Sequence, residues 1–421
     1  MGGLTRYSAL SLLRGALNGQ KHWQPAWSDP EPKPSYDIII IGGGGHGLAT
    51  AYYLAKLHGI RNVAVLEKGW IGGGNTGRNT TIVRSNYRQP QLHNFFEFGL
   101  KLWHGLSDEL NFNVMFSPRG TLLLGHSDAD MVRLAQLGDS HRCDGIDAEL
   151  LSREQVAKFC PLLDMSAQAR FPIAGALLQR RGGTARHDAV AWGYARAADA
   201  QGVDIIQKCE VTGITQSGGR VMGVETTRGP ISASKVAICV AGHSGQVAGL
   251  AGLKLPIESQ TLQAFVTEPV KPMIDTVIMS TALHCYISQS DKGGIVLGGD
   301  PDRFPSYAQR GMPPPVEKAA AEAIALVPAL SRLRVVRTWA GVTDMSFDGS
   351  PIISEMPVNG LYLNGGWCYG GFKGTPVSGY TYAHLLAKGE AHPLAAPFDF
   401  GRFARGATID EAGVGPGPEA R

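Results

Sequence analysis

The chain has 421 residues, with 39 lysines and arginines against 36 aspartates and glutamates, 55 glycines and six cysteines. That length buries a sizeable core and suits two or three domains, while the near-balanced charge excludes a nucleic-acid-coating surface or a strongly acidic partner. No apolar run reaches membrane-spanning length, and the scattered cysteines, without a C-x-x-C pair, read as reduced structural thiols of a cytoplasmic protein.

Residues 1–34 read as an N-terminal arm. Its Leu10-Ser11-Leu12-Leu13 run is stopped by Arg14 and lacks a small-residue cleavage site, so it is not read as a signal peptide. Trp23 and Trp27 are candidates for docking the arm on a partner or on the body of the protein. The organising stretch follows: Tyr36-Asp37 and four isoleucines break into Gly42-Gly43-Gly44-Gly45-His46-Gly47, then into a helical pattern from Leu48. Gly42, Gly44 and Gly47 have the G-x-G-x-x-G spacing, for a sharp turn, a close approach of backbone to pyrophosphate, and tight helix–strand packing. The helix N-terminus offers free N–H groups to the phosphates. A second strand, 63–66, ends at Glu67, placed to accept from ribose hydroxyls. A dinucleotide site is the expectation.

Beyond Glu67, the stretch 72–81 is glycine-rich and polar and opens a helical segment. Asn75, Thr76, Arg78 and Thr80 supply donors for a second phosphate or a ring. Arg84 stands in an otherwise apolar and small-polar run, 82–87, and residues 92–111 form an amphipathic helix. The rhythm changes over 113–185, with strand-like runs at 114–116 and 120–124 and a helical piece at 128–143. A helix begins at Arg186-His187-Asp188, and short strands at 203–206, 210–214 and 221–226 lead into a buried strand, 235–242. Residues 255–337 give strands and one helix, 316–326. A strand at 360–366 then meets a second glycine turn, 370–376, and a helix from about 378 to 387. Two glycine turns so far apart imply two approaches to one large cofactor. Gly45, His46, Val211 and Gly370 complete the candidate cofactor contacts.

The expected fold is α/β (α+β): a discontinuous Rossmann-like cofactor domain (35–112, 186–254 and 338–395) interleaved with a mainly antiparallel substrate domain (113–185 and 255–337). A Gly/Pro-rich extended tail occupies 396–421. The opening glycine motif, Gly74-Asn75-Thr76-Gly77-Arg78-Asn79-Thr80-Thr81-Ile82-Val83-Arg84-Ser85-Asn86-Tyr87, Arg186-His187-Asp188 and Gly370-Gly371-Phe372-Lys373-Gly374-Thr375-Pro376 together resemble one family. It is the β subunits of heterotetrameric sarcosine oxidase, in the D-amino-acid-oxidase-like flavoprotein superfamily, and the resemblance runs from about 23 to 410.

The resemblance implies a glutathione-reductase-type FAD domain with non-covalent FAD and an FMN attached covalently to His187. It also implies α, γ and δ partner subunits, and oxidation of sarcosine with electrons passing through FMN to O2. The products would be glycine, H2O2 and formaldehyde or 5,10-methylenetetrahydrofolate. Neither nucleic acid, membrane nor metal takes part. Arg84 and Lys373 match positions that grip the substrate carboxylate, a bidentate guanidinium and a point charge orienting a small zwitterion. Lys373 can also stabilise negative charge on a reduced ring. Around His187, Arg180, Arg181 and Arg186 would welcome a phosphate. No general base stands out, so the amine is expected to bind neutral. The segment 339–344 lacks the cysteine that tethers FAD in monomeric relatives, while Cys368 and Tyr369 replace smaller residues and narrow the pocket. Two alternatives stand beside this: an FAD-only dehydrogenase of another secondary amino acid such as proline or hydroxyproline, and a non-catalytic electron-relay subunit.

Overall fold

The computed structural model describes residues 9–19, 21, 25–280 and 282–411. The four-isoleucine run forms the strand Ser35–Ile41, whose last four residues are all buried. It pairs in parallel with Val63–Leu66 on one side (Ile38 opposite Val63) and with Ile231–Ile238 on the other. Strands buried on both faces need apolar β-branched residues at consecutive positions, so the sequence shows runs here and no alternation. Leu361–Gly365 and Asp204–Ile206 extend the parallel sheet outward, and Ile352–Glu355 closes one edge in antiparallel fashion. The hairpin Val211–Ser217/Arg220–Thr226 hangs from Ile231–Ile238.

The helices Gly45–His58, Pro90–Leu110, His187–Asp199 and Gly371–Lys388 supply the apolar residues that cover one face of this sheet. Along Pro90–Leu110 the buried side chains include Leu92, Phe95, Phe96, Leu100, Trp103 and Leu106, the stripe a 3.6-residue period requires. Fully burying one such side chain contributes roughly 1.5–3 kcal/mol. Trp103 also donates Nε1–H to the Lys373 carbonyl at 2.8 Å, which ties the two helices together beside the site.

A second eight-stranded sheet runs Val335–Ser346, Ile257–Pro269, Gly294–Pro305, Cys285–Gln289, Val277–Ser280, Thr121–Gly125, Gly175–Gln179, Glu149–Ser152. It is antiparallel apart from the Val277–Ser280/Thr121–Gly125 pair. Its own core packs under the helix Pro313–Leu326. The stretch 338–346, grouped by sequence with the cofactor-binding segments, is thus continuous with this second sheet.

Four local expectations need correction. Residues 114–116 are not a strand, because Met115 has φ 54° and an extended chain cannot continue through it. The stretch 72–81 opens no α-helix; it forms turns and a three-residue 3₁₀ helix, Thr76–Arg78. The closing helix starts at Gly371, seven residues earlier than its apolar periodicity suggested, and carries Pro376 within its first turns. The tail is not simply extended: short 3₁₀ turns lead to a buried Arg402–Asp348 ion pair at 2.8 Å, and the strap runs on to Glu411.

Within the arm, Trp27 packs on the main core and Ser28 N donates to Asp199 at 2.8 Å; Trp23 lies outside the described residues. All six cysteines are free thiols, five of them buried. Among the described residues, no helix is long and apolar enough to cross a membrane, and no His/Cys/Asp/Glu group could hold a metal.

Candidate functional site

One cavity of about 2050 Å³ lies between the two sheets, and both glycine turns line it. Gly42 has φ +112°, and a Cβ there would overlap the Cys239 carbonyl. At Gly47 a Cβ would overlap the Gly42 carbonyl oxygen and sit 3.2 Å from Ile40. This glycine keeps helix and strand in contact and does not itself line the cavity. Glu67 accepts from Gly43 N and Gly69 N, each at 2.8 Å, through its two carboxylate oxygens. Each oxygen keeps lone-pair capacity for a ribose hydroxyl.

Across the cavity floor, Thr76 Oγ1 accepts from Gly45 N at 3.0 Å. Arg78 is spent on the Gly73 and Gly74 carbonyls and on Gln309, so it braces the loop more than it offers charge. Asn75, Thr80 and Val211 also line the cavity. His46 bonds Ser378 and stacks on Trp367 with centroids 4.5 Å apart; burial pulls its pKa down to about 4, so the ring is neutral. Trp367 in turn donates to Asn364 at 2.8 Å. Gly370 stands just behind the lining, as the N-cap of the closing helix.

Arg84 and Lys373 face the same cavity. One guanidinium nitrogen of Arg84 donates to the Asn86 carbonyl (2.8 Å) and side chain (2.9 Å), and the group lies 4.4 Å over the Tyr87 ring. No ion pair engages Arg84 among the described residues, though its field reaches Glu411, and its other N–H groups have no hydrogen-bond partner there. Lys373 sits in the first turn of the closing helix and donates to the Tyr369 carbonyl at 2.8 Å. Burial, and then the field of Arg84, hold its ammonium well below the usual lysine range. A carboxylate docking between the two offsets that repulsion and favours the charged lysine.

Three cavity residues carried no marked local signal. Asp344 is 1% exposed, its Oδ2 has no partner, and burial pushes its pKa up to about 6. Its segment drew notice in the sequence only for lacking a cysteine. Tyr286 comes from the second sheet, with burial raising its hydroxyl to about 12. Glu411 accepts from Arg88 N and Gln89 N at 2.8–3.0 Å, and no spacing rule links it to residues over 300 positions away.

His187 is the first residue of its helix and does not line the main cavity. Ala185 N donates to the Thr81 carbonyl at 3.1 Å, and Thr81 does line it, so the His187 segment backs the cavity wall. His187 Nδ1 is buried without a partner, and burial lowers the ring's pKa, leaving a neutral nitrogen. The expected basic patch is not there. Arg180 pairs with Glu149 (2.5 Å), Arg181 with Glu97 (2.7 Å) and Asp147, and Arg186 with Asp188 (2.6 Å) and Asp291. Their charge is already matched by carboxylates.

The parallel sheet, the glycine turn over a helix N-terminus, and an acid at the next strand end define a dinucleotide-dependent oxidoreductase with a cationic pocket. The chain belongs to the FAD dependent oxidoreductase (DAO) family, whose profile matches residues 37–385. Within it, the chain falls among the sarcosine oxidase β subunits. It is 60% identical over 413 residues to the sarcosine oxidase subunit beta of Rhizobium meliloti (strain 1021), covering 98% of this chain and 99% of that one. It is 52% identical to that of Rhodobacter capsulatus, covering 97% and 98%. The crystal structure of L-proline dehydrogenase from P. horikoshii superposes with a TM-score of 0.83 at 28% identity, over 90% of this chain and 99% of that one.

Proposed function

We propose that this chain is the β subunit of a heterotetrameric sarcosine oxidase and oxidises sarcosine in the cavity between its two sheets. The observation that carries this is the pair Arg84 and Lys373 converging on a cavity that both glycine turns line. FAD, when bound there, supplies two-electron oxidation of a C–H bond next to nitrogen. The chain's own part is to hold the dinucleotide without a covalent bond, through the Gly42–Gly47 turn, Glu67 and Thr76. Arg84 grips the carboxylate by its free N–H groups, Lys373 adds a second cation, and Tyr369 and Tyr286 narrow the space above. A small zwitterion has one strong handle, and fixing it orients the methyl group.

His187 is the residue we assign to covalent FMN. Its orphaned, neutral Nδ1 fits an alkylated imidazole, since attachment uses a ring nitrogen free of proton and partner. The α, γ and δ partner subunits, O2 as final acceptor, the folate-linked product and a cytoplasmic location go with this reading as what the family resemblance implies. Mass spectrometry of the acid-denatured chain tests the FMN assignment: an FMN-mass adduct is expected on the peptide containing His187, and its absence refutes it. Anaerobic mixing with sarcosine tests the oxidase: the FAD band should bleach.

A second reading, an FAD-only dehydrogenase of a cyclic secondary amino acid, is favoured by the likeness to L-proline dehydrogenase. Bleaching by proline and not by sarcosine, with no flavin left on the denatured chain, would establish it.

A further inference from the structure

The segment that presents Arg84 is not held by a sheet. Residues 84–87 are irregular, so their backbone groups must find partners elsewhere. The Tyr87 carbonyl finds two. His93 Nε2 lies 2.8 Å from it and His141 Nε2 2.7 Å, filling both lone pairs of one oxygen. The imidazoles come from different helices, Pro90–Leu110 and Asp128–Cys143, and meet edge to face with centroids 5.0 Å apart. Both are 0% exposed. On its far side His93 Nδ1 is 2.6 Å from the Asp144 carboxylate. A carbonyl can only accept, so each Nε2 carries its hydrogen toward Tyr87.

Fixing that carbonyl fixes the tyrosine ring. One face of the ring stacks on Phe96, with centroids 3.8 Å apart and planes 14° from parallel, and the Arg84 guanidinium lies 4.4 Å over the ring. A cation above an aromatic face is attracted to it, so the ring's placement decides where the guanidinium sits. His141 Nδ1 has no partner, and burial favours the neutral ring, so His141 itself sets no like charge beside Arg84, while His93 faces the Asp144 carboxylate.

We propose that His93 and His141, acting through the Tyr87 carbonyl and ring, are positioning residues for the Arg84 clamp. They set how well the substrate carboxylate is held without touching substrate or flavin. This rests on Arg84 being that clamp. It adds that the clamp's aim depends on a helix, Asp128–Cys143, that packs on the second sheet.

The test uses the full chain, flavin-loaded and with its co-purifying subunits. His141→Met removes the N–H at similar volume, while His141→Gln keeps an N–H at similar reach. His141→Met should raise KM for sarcosine about tenfold, the loss of one buried hydrogen bond, with kcat within about twofold. The dissociation constant of acetate, read from the flavin spectrum, should rise in parallel. His141→Gln should restore both, and His93→Gln, which releases Asp144, should fall between. An unchanged KM in a folded His141→Met, or a His141→Gln as impaired as His141→Met, would overturn the proposal. If His141→Met does not fold, His93→Met, which removes the other N–H on the Tyr87 carbonyl, decides: parental KM and acetate affinity sink the idea. Arg84→Ala is the separate control, since an unchanged acetate affinity there would remove the clamp itself.

Discussion

Arg84 and Lys373 face one chamber, and each keeps N–H donors that no hydrogen bond among the described residues takes up. Arg84→Ala should therefore raise KM for sarcosine at least about 100-fold, the cost of leaving a desolvated carboxylate without its bidentate partner. FAD content by absorbance should stay at parental stoichiometry. His187→Ala should lose the covalent flavin and keep FAD, read as acid-resistant against acid-released flavin. Asp344 makes a pH-dependent prediction. Its carboxyl moves from an ordinary 3.8 to about 6, so between those values the folded chain holds a proton that the unfolded chain has released. Stability then falls as pH rises through that window, and above it burying the ionised group costs roughly 3 kcal/mol. Asp344→Asn should gain about that much relative to the parent between pH 4 and pH 7.5, measured by denaturant unfolding of the FAD-loaded chain. The same stability difference at both pH values would contradict it.

At the scale of elements, the Gly42–Gly47 turn works because the helix Gly45–His58 rests directly on the preceding strand. Gly47→Ala would drive a methyl group into the Gly42 carbonyl, which is backbone and cannot swing aside. We expect FAD affinity to drop at least about 100-fold, measured by flavin retention on dialysis, because the helix N-terminus leaves the pyrophosphate position. This element was plain in the sequence, since glycine spacing and a buried β-branched run are local signals. The start of the closing helix was not. Gly371-Phe372-Lys373-Gly374-Thr375-Pro376 has poor helix formers, and tertiary packing, including Trp103 on the Lys373 carbonyl, overrides their propensity. Likewise the arginines around His187 read as a free basic patch because most of their carboxylate partners, Glu149, Asp147, Glu97 and Asp291, are remote in sequence, Asp188 being the exception.

In the whole molecule, the cavity is assembled from segments that no local pattern connects. Both glycine turns could be read, and so could Glu67 and Arg84. The contributions of Asp344, Tyr286 and Glu411 depend on how two sheets meet, which periodicity does not encode. The C-terminal strap is held by Arg402, which donates two bonds to Asp348 at 2.8 and 2.9 Å with both side chains 1% exposed. Asp348→Ala leaves that guanidinium buried and unmatched and should cost about 3–5 kcal/mol. Chemical denaturation would show it as a lower midpoint, with faster proteolysis of the strap. Glu411, on the same strap, binds the backbone of Arg88 across 323 positions of chain. A ribosome making this protein must therefore have passed residue 411 before that wall of the chamber can exist, so this wall is a late addition to the folding chain.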